Sequence, residues 1–207
     1  VIAPYIAVKS VVKNVNAETQ PLSVVKPYAD KDFSELNGMY AVDSAHSAVD
    51  FSIKHIITNT KGTINIDSGW VNLSGDKKIY IQMDVKTINT QNSYRDDHLK
   101  GPDFFEVAKH PKFIFESSEI VKDSVSNEFN YLAKGKLTIK GITKDADVQF
   151  NYIGSEIKDM GEHGKFSVGG FEGKTVIKRT DFGIGDGGGL GENVTINITL
   201  EVMQPAK

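Results

Sequence analysis

Five histidines, no cysteine and one dense polar cluster are what this 207-residue chain offers for chemistry. The cluster is SYRDDHLK at 93–100, followed at once by Gly101 and Pro102. Arg95, His98 and Lys100 together could hold an anionic or carbonyl-bearing head group, and an imidazole there could act as a general base. The same charges could equally pin the segment to its surroundings through Asp96, Asp97 or backbone carbonyls. The five histidines, His46, His55, His98, His110 and His163, show neither HExxH nor HxH spacing, so no metal or haem site is read from them. Without cysteine there is no thiolate for zinc, an iron–sulfur cluster, a disulfide or nucleophilic catalysis.

The glycine-rich stretches do not carry phosphate chemistry. GGFEGKT at 169–175 is one residue short of a phosphate loop and runs into the strand pattern of Val176 and Ile177. GIGDGGGLG at 183–191 precedes a strand rather than opening a helix, so it reads as a connection and not as a dinucleotide fingerprint. No G-x-S-x-G elbow is present. The enzyme alternative therefore narrows to a hydrolase or similar activity on small amphiphiles, with a serine and His46 or His98 as base. The preferred reading has no catalytic residue and no cofactor.

A net charge of -3 with 25% charged residues gives no basic footprint for nucleic acid. No apolar run reaches the ~18 residues of a membrane span. The chain begins at Val1, and the expectation is a processed or trimmed chain from which a signal peptide has been removed.

The elements around the polar cluster read almost entirely as strands. Ser47, Val49, Phe51, Ile53 and His55 alternate with Asp50, Ser52 and Lys54, and Ile64 and Ile66 continue the pattern beyond Gly62, with a bulge expected at Gly69. Ile79, Ile81, Met83 and Val85 form the cleanest run. Phe113 and Phe115, then the odd positions from Phe129 to Ile139, then Val148, Phe150 and Tyr152, and finally the even positions from Val194 to Val202, repeat it. Gly154, Gly161 and Gly164 are placed in a loop, and Gly169, Gly170 and Gly173 in a bulged or bent strand. Between strands, Asn92 or Ser93 caps a short helix, and Asp103 is expected to cap a second one carrying Phe104, Phe105 and Val107 before Pro111. Residues 1–37 lack periodicity and read as an extension, wrapped outside or partly disordered, with a strand near Ile6 to Val12. Residues 38–207 form the domain. About eight short strands with hairpin connections predict an all-β, antiparallel barrel of lipocalin-like closure, with the helical segment 93–110 as a lid over its mouth. A two-sheet sandwich is the competing architecture.

Three blocks carry a resemblance: YAVDSAHSAVDFSIKH at 40–55, YRDDHLKGPDFFEVAKHPKFIFES at 94–117 and GKLTIKGITK at 135–144, with RTDFGI at 179–184 as a fourth. In this order and spacing they resemble the YceI-like family of lipocalin-resembling, polyisoprenoid-binding proteins, over about residues 38–203. The resemblance implies an eight-stranded barrel whose elongated apolar tunnel binds, stores or transports a long isoprenoid, a polyprenyl quinone or a polyprenyl phosphate. It also implies a periplasmic or secreted location.

Under that reading, parity places Val49, Phe51, Ile53, His55, Ile81, Met83, Phe113, Phe115, Tyr131, Leu137, Ile139, Val148 and Phe150 on the ligand. Phe104 and Phe105 cover it, and Arg95 and His98 stand near its head. The expected partner is an isoprenoid or other long-chain lipid, with no nucleic acid and no membrane span. A homodimer through rims or exposed strand edges is left open.

Overall fold

The computed structural model describes residues 26–185 and 188–206. The predicted strand near Ile6 to Val12 lies outside the described residues. Among the described residues, ten strands form one antiparallel sheet: β1 (Met39–Val42), β2 (Ala48–His55), β3 (Thr58–Asn72), β4 (Lys78–Asn89), β5 (Lys112–Lys122), β6 (Tyr131–Ile139), β7 (Ile142–Asp145), β8 (Val148–Asp159), β9 (Lys165–Lys178) and β10 (Leu190–Pro205). β10 bonds β2 on one side and β9 on the other, which closes the sheet into a ring. β1 and β2 share the position between β3 and β10, and β7 and β8 share the position beside β6. With two staves each split into two strands, ten strands make eight staves. Closure removes the exposed edges that an open sheet of this size would present.

The period-two pattern becomes the inside and outside of this ring. Along β6, Tyr131, Ala133, Gly135, Leu137 and Ile139 are buried, while the lysines between them face out. β4 turns Ile81, Met83 and Val85 inward in the same way. The ladder from β3 to β4 slips between Ile66 and Ser68, so the expected bulge precedes Gly69. Gly154 is no loop residue: β8 runs to Asp159, and the irregularity sits inside it, between Tyr152 and Gly154.

One end of the barrel is filled by the chain preceding β1. Phe33, on a short 3-10 turn whose N-terminus is capped by Asp32 through Ser34 N at 2.8 Å, inserts among aromatic rings. Its ring centroid lies 4.6 Å from Tyr131 and 6.4 Å from each of Phe150, Tyr152 and Phe171. Leu36 follows it inward, and Gly169 leaves the room: a Cβ there would stand 2.8 Å from Leu36 Cδ1. Polar contacts hold the segment down. Lys26 Nζ donates to the carbonyls of Asp123 and Phe129 at 2.6 and 2.8 Å, and Glu35 accepts from Tyr152 and from Ser155, the latter at 2.8 Å. Burial, reinforced by the bond to Glu35, pushes the Tyr152 hydroxyl up to about 12.

At the other end β4 leads into α1 (Ser93–Lys100), whose N-cap is Asn92, accepting from Arg95 N at 3.0 Å. The expected second helix at Asp103 does not form. Residues 101–109 turn back on α1 instead: Phe105 N donates to Leu99 O, Glu106 N to Gly101 O and Val107 N to Lys100 O, at 2.8–3.0 Å. These bonds satisfy carbonyls that the helix end leaves open, and the left-handed backbone of Glu106, φ 48°, is incompatible with a continuing helix.

Candidate functional site

Between the plug and α1 lies a cavity of about 670 Å3. Its wall is continuous from stave to stave: Val49, Phe51 and Ile53 of β2, Ile81 and Met83 of β4, Phe113 and Phe115 of β5, Leu137 and Ile139 of β6, Val148 and Phe150 of β8. These side chains line it because each stave gives every second residue to the interior. Phe104 and Phe105 close over it from the segment after α1, with the Phe105 ring edge-on to Phe113 at 5.0 Å. His55, Arg95 and His98 line it as well, and all three lie at the α1 end.

Tyr131 has the right parity but does not line the cavity. It lies at the plugged end, where Phe33 covers it. Parity fixes the face of a strand, not the depth along the barrel, and the plug carried no periodic signal. Sequence reasoning also left out Ile64, Val71, Leu73 and Ile88, the β10 residues Val194, Ile196, Ile198 and Leu200, and Leu99, Ile177, Arg179 and Ile184, all of which line it. For β10 the signal was present, since its alternation is as clean as that of β4.

The polar groups at the mouth are mostly occupied in holding it together. Arg95 donates from Nε to Thr90 Oγ1 and from Nη2 to Thr90 O, both at 2.8 Å. Asp96, buried on α1, accepts from Thr90 N at 2.9 Å and from Thr90 Oγ1 at 2.5 Å. Thr90 thus clasps the helix to the end of β4, and Arg95 is a tether that also faces the cavity. His98 stands edge-on to Phe104 at 4.9 Å, with Nε2 3.9 Å from Asp103 Oδ2.

Arg179 is the main polar residue that the sequence reading missed. It is buried, and it donates from Nε to Gly191 O at 2.9 Å and from Nη1 to Ile184 O at 2.6 Å. It also donates to Gly185 O and, at 3.3 Å, to Leu190 O. One guanidinium therefore gathers both ends of the glycine-rich connection; residues 186–187 within it lie outside the described residues.

His46 lies on the β1–β2 connection, away from the cavity wall. Its Nδ1 is 2.8 Å from Asp43 Oδ2 and 4.0 Å from Glu201 Oε1. The bond to Asp43 and the charges of Asp43 and Glu201 raise the imidazole above its usual range, and the same bond holds the Asp43 carboxyl low. The pair closes the connection between the two strands of the split stave. Neither His46 nor His98 hydrogen-bonds a serine among the described residues.

Comparison with known proteins agrees with this geometry. The model of the YceI-like domain matches residues 40–202. A UPF0312 protein of Staphylococcus aureus (strain N315) is 32% identical over 152 residues, covering 70% of this chain and 81% of the relative. The Campylobacter jejuni YCEI protein superposes with a TM-score of 0.59 at 28% identity, over 74% of this chain and 90% of that one. A polyisoprenoid binding domain from Saccharophagus degradans shares the fold at 14% identity, with a TM-score of 0.54 over 80% of this chain and 98% of that one. The barrel is thus shared with a solved YCEI protein, and the chain belongs to the YceI-like family.

Proposed function

We propose that the protein stores or carries a long apolar isoprenoid, a polyprenyl quinone or polyprenyl phosphate, with its tail threaded into the cavity. The observation that carries this reading is the lining: aliphatic and aromatic side chains from every stave surround about 670 Å3, well within the ~300–1,000 Å3 of ligand sites. A prenyl tail entering it would gain about 0.8 kcal/mol per buried CH2, less the cost of ordering tail and lid. Tail burial would then dominate affinity, and the head would stay at the mouth with His55, Arg95 and His98. The polyisoprenoid-binding neighbour supports a lipid ligand. A periplasmic or secreted location belongs to this proposal and is checked by fractionating the source cells.

Native mass spectrometry of the purified protein, followed by solvent extraction, tests it. The expected result is a discrete adduct whose extracted mass carries the isoprene repeat. A protein that stays at its apo mass, even after incubation with prenyl quinones and prenyl phosphates, would overturn the carrier reading.

A further inference from the structure

The β2–β3 connection departs from the usual chemistry of a two-residue hairpin. His55 pairs with Thr58, which makes Ile56 and Ile57 the two central residues. Such turns favour Gly, Asn or Asp, because a left-handed backbone crowds a side chain, and a β-branched one most of all. Ile56 nevertheless has φ 53°. Burial does not account for the choice: Ile56 is 64% exposed and Ile57 87% exposed.

The place of this tip gives it meaning. The last β3–β4 partners are Thr63 and Asn89, so the hairpin runs on past the end of β4. On its inner face Phe51, Ile53, His55 and Thr60 line the cavity, which makes the tip the outer end of the cavity wall. From Phe51 to Ile66 the ionisable residues are Lys54, His55 and Lys61, with no carboxylate among them. Both lysines are exposed, and Glu192 on the adjoining β10 is already paired with Lys178 at 3.7 Å. Tyr94, on the first turn of α1 at the same end, is 85% exposed.

An apolar tip, flanking lysines and an exposed tyrosine are complementary to one kind of surface. Isoleucines enter the acyl boundary, a tyrosine sits at head-group level, and lysines approach anionic phosphates. We infer that the Ile56–Ile57 tip is a membrane-docking element, which sets the mouth of the cavity against an anionic bilayer. The inference deepens the carrier reading and rests on it for its purpose, since a tail leaving the cavity would pass into acyl chains and not into water.

The test is flotation of the full chain with phosphatidylglycerol–phosphatidylethanolamine vesicles and with phosphatidylcholine vesicles. Wild type should bind the anionic vesicles and be released by salt. Ile57→Ser should weaken binding roughly tenfold or more. Lys54→Gln combined with Lys61→Gln should weaken it by a similar factor at low salt. Val125→Ser, at an equally exposed residue between β5 and β6 at the other end, should leave it unchanged. Equal binding by wild type and Ile57→Ser, or no vesicle binding by wild type, would overturn the inference. So would a wild-type dimer, seen by sedimentation, that ignores vesicles and becomes monomeric with Ile57→Ser. Solvent extraction of the same samples separates the two proposals. Cargo retained by a non-docking Ile57→Ser variant supports both, whereas tip-dependent docking without cargo sustains the docking surface alone.

Discussion

At one end of this barrel Phe33 and Leu36 are 5% and 4% exposed, packed into the same core as the strands, while at the other Phe104 and Phe105 are only partly buried. The helix beside these two phenylalanines buries only Asp96. The plug is held by apolar packing supplemented by hydrogen bonds, and the lid by a clasp at Thr90 and by two rings resting on the cavity. The two closures therefore differ in what opening them costs. Local stability tracks buried apolar contact, so the plug should open only with the whole fold and the lid far more readily.

The sharpest way to break this comparison is Phe33→Ala, which should destabilise the fold by about 3–5 kcal/mol in urea denaturation. A loss under ~1 kcal/mol would mean that the plug is as detachable as the lid. Arg179→Met should cost less, about 1–3 kcal/mol, because it leaves loop carbonyls without donors. Its signature is protease cleavage within 183–191 before global unfolding. Asn92→Ala removes the cap of α1 and should cost about 1 kcal/mol at most. Its main effect should be several-fold faster release of a bound prenyl quinone, read by stopped-flow fluorescence. Release unchanged by Asn92→Ala but quickened by Phe33→Ala would reverse the assignment of gate and plug.

The smallest effect is that of pH on the plug. The Glu35 carboxyl is held below its usual 4.5 by hydrogen bonds from Tyr152 and Ser155, so its support is present above about 4.5 and fades as pH falls through the lowered value. The Tyr152 hydroxyl is raised from 10.0 to about 12, so its support is complete below pH 10 and is lost as pH climbs through about 12. Thermal melts of wild type and Glu35→Gln should therefore differ by a constant amount between these limits and converge in acid. A difference that persists unchanged at low pH would remove Glu35 from the plug.

Strand alternation made most of the wall legible, because in a closed ring the inner face of every stave has one fate. It placed Val49, Phe51, Phe115 and Leu137 on the inner face without any knowledge of the pairing, and the family resemblance supplied the cavity that they line. What it could not supply was depth. Tyr131 obeys the same parity as Leu137, yet lies under Phe33, because a 3-10 turn of three residues has no period to read. The turns after α1 failed for a related reason. Asp103 and the phenylalanines following it look like a helix start, but Phe105 and Val107 donate their N–H groups to Leu99 and Lys100 at the end of the preceding helix, and Phe104 donates to Gly101 just beyond it. Arg179 stood in the RTDFGI block, but its role was illegible because its partners are backbone carbonyls, which every residue carries.

The seam between β2 and β10 has a consequence for synthesis. The ring joins an early strand to the last, Ala48–His55 to Leu190–Pro205, so a growing chain cannot close it until nearly the whole domain has emerged. Folding of this kind is slow and non-local, and until closure β2 and β9 both present unpaired edges. The seam therefore acts as a test of completeness: a product terminated before Leu190 would keep those edges and recruit other chains to them.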